Sequence, residues 1–592
     1  MSNSQVFDIV DKNNTLEQQQ DMQDLQHDLQ DLQDLQQAQH PQLQNDDEQS
    51  VQLTNYSVPS SPPPSSLLTN PQKWATVFLL VADGFWSSLG GPILFPCMKY
   101  LEKYLHKTET EINISVLLYF IAQGLSPSIF ANLSDVYGRR PVIVQALLLY
   151  TVFSVGIANL KNYATLMVLR FFQGCAISSC IPINSGVASD ISDKATRGLF
   201  TGATAGLTLI GQALGPLIAC LIINDDFQNA AEPWRAVFYF LTIGAGITFL
   251  THSFFLVETN KKIVGNLSIK PKKWYNRAPV LMFMKKQLKF DNPDTETLVV
   301  PPKNGKGAKI DFTSPFKICC HPEVFLTLLP GGLQFALWTI NLNTIASSLS
   351  EAPYNYSIKK IGLIYLAPGL SGILGSIITG RFIDFMYKKS IRSFNMKKEK
   401  GLLPPNADFN LIRARVIISM PQNFLSVVAY ILFGWSVTKH WPVPVTVVMS
   451  SLGSYASMAT LATSSALLVD LYPTQASSAT ASYNMIRCLL AALFTGVLDL
   501  MNKKITIGGT FTLLSALVLV GNFVMFIPMK YGMQWKKDRL LKNLKRDEAN
   551  LRKEEMTPTP TYCSEKDVRS LHEDTPSSET EICSEEDEYI KK

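Results

Sequence analysis

The sequence predicts an all-α membrane protein with twelve spanning helices in two bundles of six. Three observations carry that prediction. Apolar residues gather in twelve blocks of about 20 residues, the length that crosses about 30 Å of hydrocarbon. Basic residues favour alternate loops: with both termini inside, the five inner loops hold 26 Lys and Arg and the six outer ones about 10. The blocks also fall into two sets of six around a polar stretch, with a degenerate echo between them, Gly138-Arg139 and Gly380-Arg381.

Residues 1–72 are a polar tail. Its Gln/Asp-rich run DMQDLQHDLQDLQDLQQAQ repeats Leu at a period of three, which fits neither a coiled coil nor a helix, so disorder is expected there. No basic start and no apolar core mark a signal peptide, so the first span serves as the targeting signal. Residues 73–257 then hold six spans, at about 74–96, 113–132, 141–160, 163–186, 199–223 and 235–256. Residues 258–321 form a central cytoplasmic loop, where KPKKWYNRAPVLMFMKKQLKF mixes cations with aromatics, as an amphipathic stretch on the inner leaflet does. The second six spans, within 322–529, lie at about 322–347, 360–380, 416–436, 443–468, 475–498 and 505–528. The seventh and eighth are rich in Gly and polar residues. Residues 530–592 are a charged tail whose WKKDRLLKNLKRDEANLRKEE reads as a helix with i,i+4 pairs. Its acidic, Ser/Thr-rich end reads either as a substrate for kinases or a ubiquitin ligase, or as a solvated tail.

Charges within spans are few, and each is costly unless it works. Asp83 lies in the first span, Arg170 in the fourth and Arg487 in the eleventh. Counting residues from the span ends puts Asp83 and Arg170 at heights differing by about 6–7 Å. An Arg side chain covers that gap, so the pair reads as a protonatable carboxylate modulated by Arg170. A fixed ion pair that orients helices is the alternative. His252 is the one histidine within a span, near its inner end.

The fifth span carries Gly202-x8-Gly211-x3-Gly215-Pro216. Glycines so spaced leave a face of almost no bulk, and the proline kinks the helix. A moving interface between bundles needs such a face, although ordinary close packing would use it too. After the second span, Asp135, Gly138, Arg139 and Arg140 read as a tight turn anchored at the inner headgroups. Asp470, where the tenth span exits, reads as a helix-end or gate residue. Phe78, Phe85, Trp86 and Phe172, with Gln173, Gln334, Asn341 and Asn343, are candidates for a central cavity wall, although each aromatic taken singly suits lipid or packing better than direct contact.

Other chemistry is excluded. The basic residues sit in membrane-flanking loops, which argues against nucleic acid. No phosphate-binding GxxxxGK[ST] loop, HExxH or nucleophile elbow appears, so neither ATP drive nor catalysis is expected. No Cys or His spacing suggests zinc, and no cofactor is expected.

Together the stretches FWSSLGGPI, LSDVYGRRPV, LRFFQG, the Gly202–Pro216 run, PWRAVFYF, KFDNPDTETL, PQNFLSVVAYILFGWS, LLVDLYPT and FIPMKYGMQW carry a resemblance over about 74–546. The chain resembles the fungal twelve-span drug:proton antiporters of the major facilitator superfamily, and within them the yeast quinidine- and weak-acid-resistance exporters. That resemblance implies two six-helix bundles and proton-driven export at the plasma membrane. The implied cargo is azole or quinidine-like drugs, short-chain monocarboxylic acids and amino acids. It makes Asp135, Gly138, Arg139 and Arg140 an inner gate motif. It makes Arg170, Gln173 and Gly174 a proton-coupling motif, and Gly202, Gly211, Gly215 and Pro216 an antiporter motif. Four positions depart from the pattern: Ala131 stands for the usual Gly, Val136 for a basic residue, and Ala219-Cys220 for a closing Gly-Gly. A proton-linked importer and a transporter-like sensor remain the competing readings.

Overall fold

The computed structural model describes residues 66–192, 197–223, 232–267, 269–282, 313–402, 404, 409–472 and 476–555. The expectations for the N-terminal tail before residue 66, most of the central loop and the acidic C-terminal end lie outside these residues. Among the described residues every regular element is helical.

The first span is α1 (Asn70–Leu89) followed by a 3-10 segment, Pro92–Cys97, and α2 (Met98–Leu105), with a bend of 42° between the two parts. The break falls at Gly90-Gly91, where the predicted span ran straight. A Cβ on Gly90 would lie 2.5 Å from the Tyr119 hydroxyl and 3.0 Å from that of Tyr150, so glycine leaves room for both hydroxyls here. The second and third spans are α3 (Glu109–Tyr137) and α4 (Arg139–Ala158). Thr108 caps α3, accepting from Glu111 N at 3.4 Å while Glu111 Oε2 accepts from Thr108 N at 2.9 Å, a reciprocal box. The fourth span is divided at Ser179 into α5 (Tyr163–Ser178) and α6 (Cys180–Ile191). The fifth and sixth are α7 (Arg197–Ile222) and α8 (Trp234–Phe255), after which comes the one-turn α9 (Lys261–Val264).

After a short α10 (Ser314–Cys319), the seventh to tenth spans are α11 (Pro322–Ser350), α12 (Ile358–Glu399), α13 (Leu411–Thr438) and α14 (Val443–Leu471). The eleventh and twelfth spans lie in α15 (Ala476–Val524), separated where Thr506 turns to φ 65°. The stretch expected to be helical near the C-terminus forms α16 (Phe526–Glu555). The seventh span is weakly apolar for a physical reason: 83% of its apolar window is buried among other helices, so side chains there meet partners rather than lipid.

The loops at Gly138, 256–282 and the start of α11 mark one face, called here the basic face; the start of α3 and the end of α11 mark the opposite face. The halves meet along two seams, α3 against α15 and α7 against α12. The second span thus pairs with the eleventh and the eighth with the fifth. Adding six to each member of one pair, modulo twelve, gives the other, as a twofold relation between halves requires.

Within the central loop the described part is not a free amphipathic helix. Two 3-10 turns, Trp274–Asn276 and Pro279–Met282, pack against α4 and α8. Leu267, Ala278 and Leu281 join Leu68, Val77 and Phe200 in a separate apolar cluster, while Trp274 is exposed.

Candidate proton site and gates

Asp83 is fully buried on α1, and its partner is His252 on α8. The approach of these helices is set by side-chain volume. Trp86 lies one turn beyond Asp83, and its ring fills the place where a Cβ on Gly244 would stand. Trp86 Nε1 donates to Thr248 Oγ1 at 2.7 Å. Gly244, Thr248 and His252 recur every four residues, so they lie on one face of α8. That face therefore brings His252 Nε2 to 3.2 Å from Asp83 Oδ2. On the other side, Asn184 Nδ2 of α6 donates to Asp83 Oδ1 at 2.5 Å and to Leu80 O at 2.7 Å.

The hydrogen bonds fix the chemistry of this pair. His252 Nδ1 lies 2.8 Å from the Thr248 carbonyl, which can only accept, so Nδ1 carries a proton. In neutral imidazole Nε2 is then a lone pair facing a carboxylate oxygen. The two atoms attract only when one proton lies between them, on Asp83 or on His252. The pair is built to hold a single proton in a dry site.

Arg170 does not reach Asp83, contrary to the expectation from depth. Its Nη1 donates to Gly90 O at 3.0 Å and to Gln173 Oε1 at 2.9 Å, and Gln173 Nε2 donates to Ser154 Oγ at 2.9 Å. Its guanidinium carbon lies 5.4 Å from the Tyr119 ring centre and 5.1 Å from that of Phe238. The reason is the break after α1. Carbonyls at a helix end lack partners and carry the negative end of the dipole, so they draw the cation. Gly90 is seven residues beyond Asp83, about 10 Å along the axis.

At the basic face, Arg139 Nη1 pairs with Asp135 Oδ1 at 2.5 Å and donates to Ser134 Oγ at 2.8 Å, and its Nε lies 3.4 Å from Asp190 Oδ2. Gly138 has φ 116°, and a Cβ there would collide with the Glu258 carboxylate. Glu258 receives the backbone N–H groups of Arg139, Arg140, Thr259 and Asn260 at 2.9–3.1 Å. It thereby caps α4. Burial pushes the Glu258 carboxyl above its ordinary pKa, against the opposing pull of those amides. Arg140 does not point to headgroups: it donates to the carbonyls of Leu256 at 2.9 Å, Ser253 at 2.6 Å and Tyr275, tying the loop after α8 to α4.

The echo in the second half does not fold the same way, because Gly380 and Arg381 lie within unbroken α12. A Cβ on Gly380 would meet open space. The ion pairs at this end of the second half are instead Arg415 Nη2 to Asp470 Oδ2, 2.7 Å, with the Arg415 guanidinium 4.5 Å from the Tyr387 ring centre, and Arg539 to Glu323.

The glycine face of α7 also has a different neighbour from the one expected. A Cβ on Gly211 would strike the Phe85 carbonyl, and one on Gly215 would lie 3.3 Å from Ile93 N and Leu89 O. Both glycines therefore admit the first span of the same half. The seam to α12 is made by Cys220, which a Cβ on Gly362 would approach to 2.7 Å. Pro216 lies within the helix and is buried against its neighbours; Gly202 lies on the same helix, with its packing outside the described side chains.

Of the expected cavity wall, Phe78 is 75% exposed and Phe172 is 46% exposed, stacked on Phe153 at 5.7 Å. Neither encloses a cavity. Phe85 and Trp86 pack within their own half, Trp86 against Phe240 at 5.6 Å. Gln334 bonds Asn423 at 2.6 Å and Asn341 bonds Ser450 at 2.9 Å, both buried. Asn343 lines a cavity of about 250 Å³ toward the opposite face, with Lys99, Glu102, Cys220 and Glu351. Three polar links join the halves there: Lys99 to Glu351 at 3.1 Å, Asn343 to Asn113 at 3.2 Å, and Thr110 to Asp499.

A sequence profile of the Major Facilitator Superfamily matches residues 78–495. The chain belongs to the major facilitator superfamily. It is accordingly a membrane transporter and not an enzyme. It is 44% identical to the probable transporter AQR1 of Saccharomyces cerevisiae, over 85% of this chain and 84% of that protein. It is 48% identical to the multidrug transporter AQR1 of Candida glabrata, over 82% and 81%, and 36% identical to the MFS antiporter QDR1 of Candida albicans, over 77% and 87%. Among solved structures, the xylose transporter XylE of E. coli in a partially occluded inward-open conformation matches with TM-score 0.56 at 10% identity, over 77% of this chain and 98% of that one, a likeness of fold.

Four residues of this superfamily member escaped the sequence reading: His252 as the Asp83 partner, with Asn184, Asp190 and Glu258. His252 had a legible signal, since it is the only histidine within a span and follows Gly244 and Thr248 at helical spacing. Glu258 had none, because its role depends on where the loop after α8 returns to α4.

Proposed function

We propose that the protein is a proton-coupled multidrug antiporter, exporting small amphiphilic compounds by alternating access. The Asp83–His252 pair carries this reading. A site that holds one proton, buried between α1, α6 and α8, binds or releases it only when a movement of helices admits water. The relatives named multidrug transporter and antiporter support export over proton-linked import. The sensor reading has no such support. Azole drugs, quinidine-like cations, short-chain monocarboxylates and amino acids are the cargo, with the basic face and both termini in the cytosol and the plasma membrane as the site of action. The 26 inner-loop cations support that orientation. The acidic C-terminal end would meet kinases or a ubiquitin ligase. The bundles are assigned to 73–257 and 322–529.

The test is transport in proteoliposomes under an imposed pH gradient. A labelled azole should move opposite to the proton flux, and a protonophore should stop it. Movement in the same direction as protons would favour the importer, and no movement under either gradient polarity would sink both transport readings.

A further inference from the structure

We propose that Arg487 is the recognition group for the carboxylate of organic-acid substrates, placed at the seam between the two halves. The inference rests on the exporter reading and names one substrate class for it. Arg487 lies well inside the eleventh span and is only 8% exposed. A buried cation in a membrane interior is normally paired with a carboxylate. Two other buried arginines, at helix ends, follow that rule, Arg139 facing Asp135 and Asp190 and Arg415 facing Asp470, while Arg140 is spent on three backbone carbonyls. Arg487 has no carboxylate partner among the described residues. Its Nε and Nη2 both donate to Asn484 Oδ1, at 3.0 and 2.7 Å, and its guanidinium carbon lies 4.9 Å from the Phe335 ring centre. Neither contact neutralises the charge.

The unused part of the guanidinium has the shape of a carboxylate site. Of five N–H donors in the fork, Asn484 takes two, one each on Nε and Nη2. Both on Nη1 and the second on Nη2 remain, and that edge binds a carboxylate through two parallel hydrogen bonds. The surroundings suit an acid with an apolar body. Phe335 of α11 meets Phe120 of α3 edge to face at 6.3 Å, so aromatic rings from both halves flank this region.

The position also lies beside a seam between the halves. Asn484, which holds Arg487, donates through Nδ2 to Gln123 O of the other half at 2.6 Å. A Cβ on Gly124 would lie 3.3 Å from Cys488 Cβ across the same seam. Separation of α3 from α15 would therefore uncover Arg487. Arg170, likewise without a carboxylate, has all its named partners, on α1, α3, α4, α5 and α8, within one half.

The experiment is equilibrium binding of labelled benzoate and of a labelled neutral azole to the full-length protein in nanodiscs, with no gradient. Arg487→Gln should weaken benzoate binding about 10- to 100-fold, as loss of a charged two-point contact does, and leave azole binding within about twofold. Arg487→Lys, which keeps the charge and loses the fork, should fall between. It also keeps the test decisive if the Gln variant does not fold. Unchanged benzoate binding in either variant that folds, or equal loss of both ligands in a variant that melts like wild type, would overturn the assignment. So would wild-type protein that binds no benzoate. The exporter reading is judged separately by azole flux under a gradient: azole transport without benzoate binding rejects the carboxylate site alone, and the converse rejects the exporter reading alone.

Discussion

Replacing Asp83 with asparagine tests the proton site with almost no change of shape. The new amide can be placed without moving a neighbour: its oxygen keeps the bond from Asn184 Nδ2, and its NH₂ donates to the His252 Nε2 lone pair. Asp83→Asn therefore imitates the protonated pair permanently. Stability should change by no more than about 1 kcal/mol, the scale of one hydrogen bond exchanged for another. Coupling should vanish. One pH unit is about 1.4 kcal/mol per proton, so a gradient of about two units sustains roughly a 100-fold substrate gradient per proton. The variant should give about 1-fold under the same gradient, while exchange of labelled for unlabelled azole without a gradient persists. His252→Ala supplies the contrast. It leaves the buried Asp83 with Asn184 alone, and should cost about 3–5 kcal/mol at neutral pH if the carboxylate stays ionised. The assay is proteoliposome flux, with thermal unfolding as the control. Gradient-driven accumulation by Asp83→Asn at the wild-type level would refute the reasoning and leave the pair a structural contact.

Two further outcomes follow from the packing. Gly211→Ala should destabilise the protein by about 1–3 kcal/mol and slow efflux, because its Cβ strikes the rigid Phe85 backbone; Gly215→Ala, with 3.3 Å to its nearest atoms, should cost less in the same melts. Glu258→Gln turns an acceptor of four backbone N–H groups into one that offers a donor to some of them. It should lower stability by about 1.5–3 kcal/mol, read as a lower melting temperature.

Span lengths were legible because each apolar block had to cross the same thickness of hydrocarbon. Interruptions were less so. Gly90-Gly91 reads like any glycine pair until Tyr119 and Tyr150 are seen above it, and the polar gap read between the eleventh and twelfth spans stays helical up to the turn at Thr506. The seventh span read as weak because it is buried, and its Gln334, Asn341 and Asn343 bond other helices. The rotation of each helix was not legible either. Phe78 and Phe172 have the composition of a cavity wall and stand on exposed faces, since an aromatic ring satisfies lipid and ligand alike.

The misplacement of Arg170 shows which quantity matters in such a bundle. Depth along the membrane normal is nearly free information, because 1.5 Å per residue fixes it. Direction around the helix axis decides partners, and it is set by which small residues admit which large ones. Gly84 opens α1 to Thr208, and Gly244 opens α8 to Trp86. Once those two contacts are made, Asp83 must face α8, and His252 is the titratable side chain waiting there. Arg170 is left with the free carbonyl end of α1, a partner that no side-chain pattern displays. A buried carboxylate in such a chain is therefore better assigned by first finding the glycines on neighbouring helices and then asking which ionisable group lies one turn further along that face.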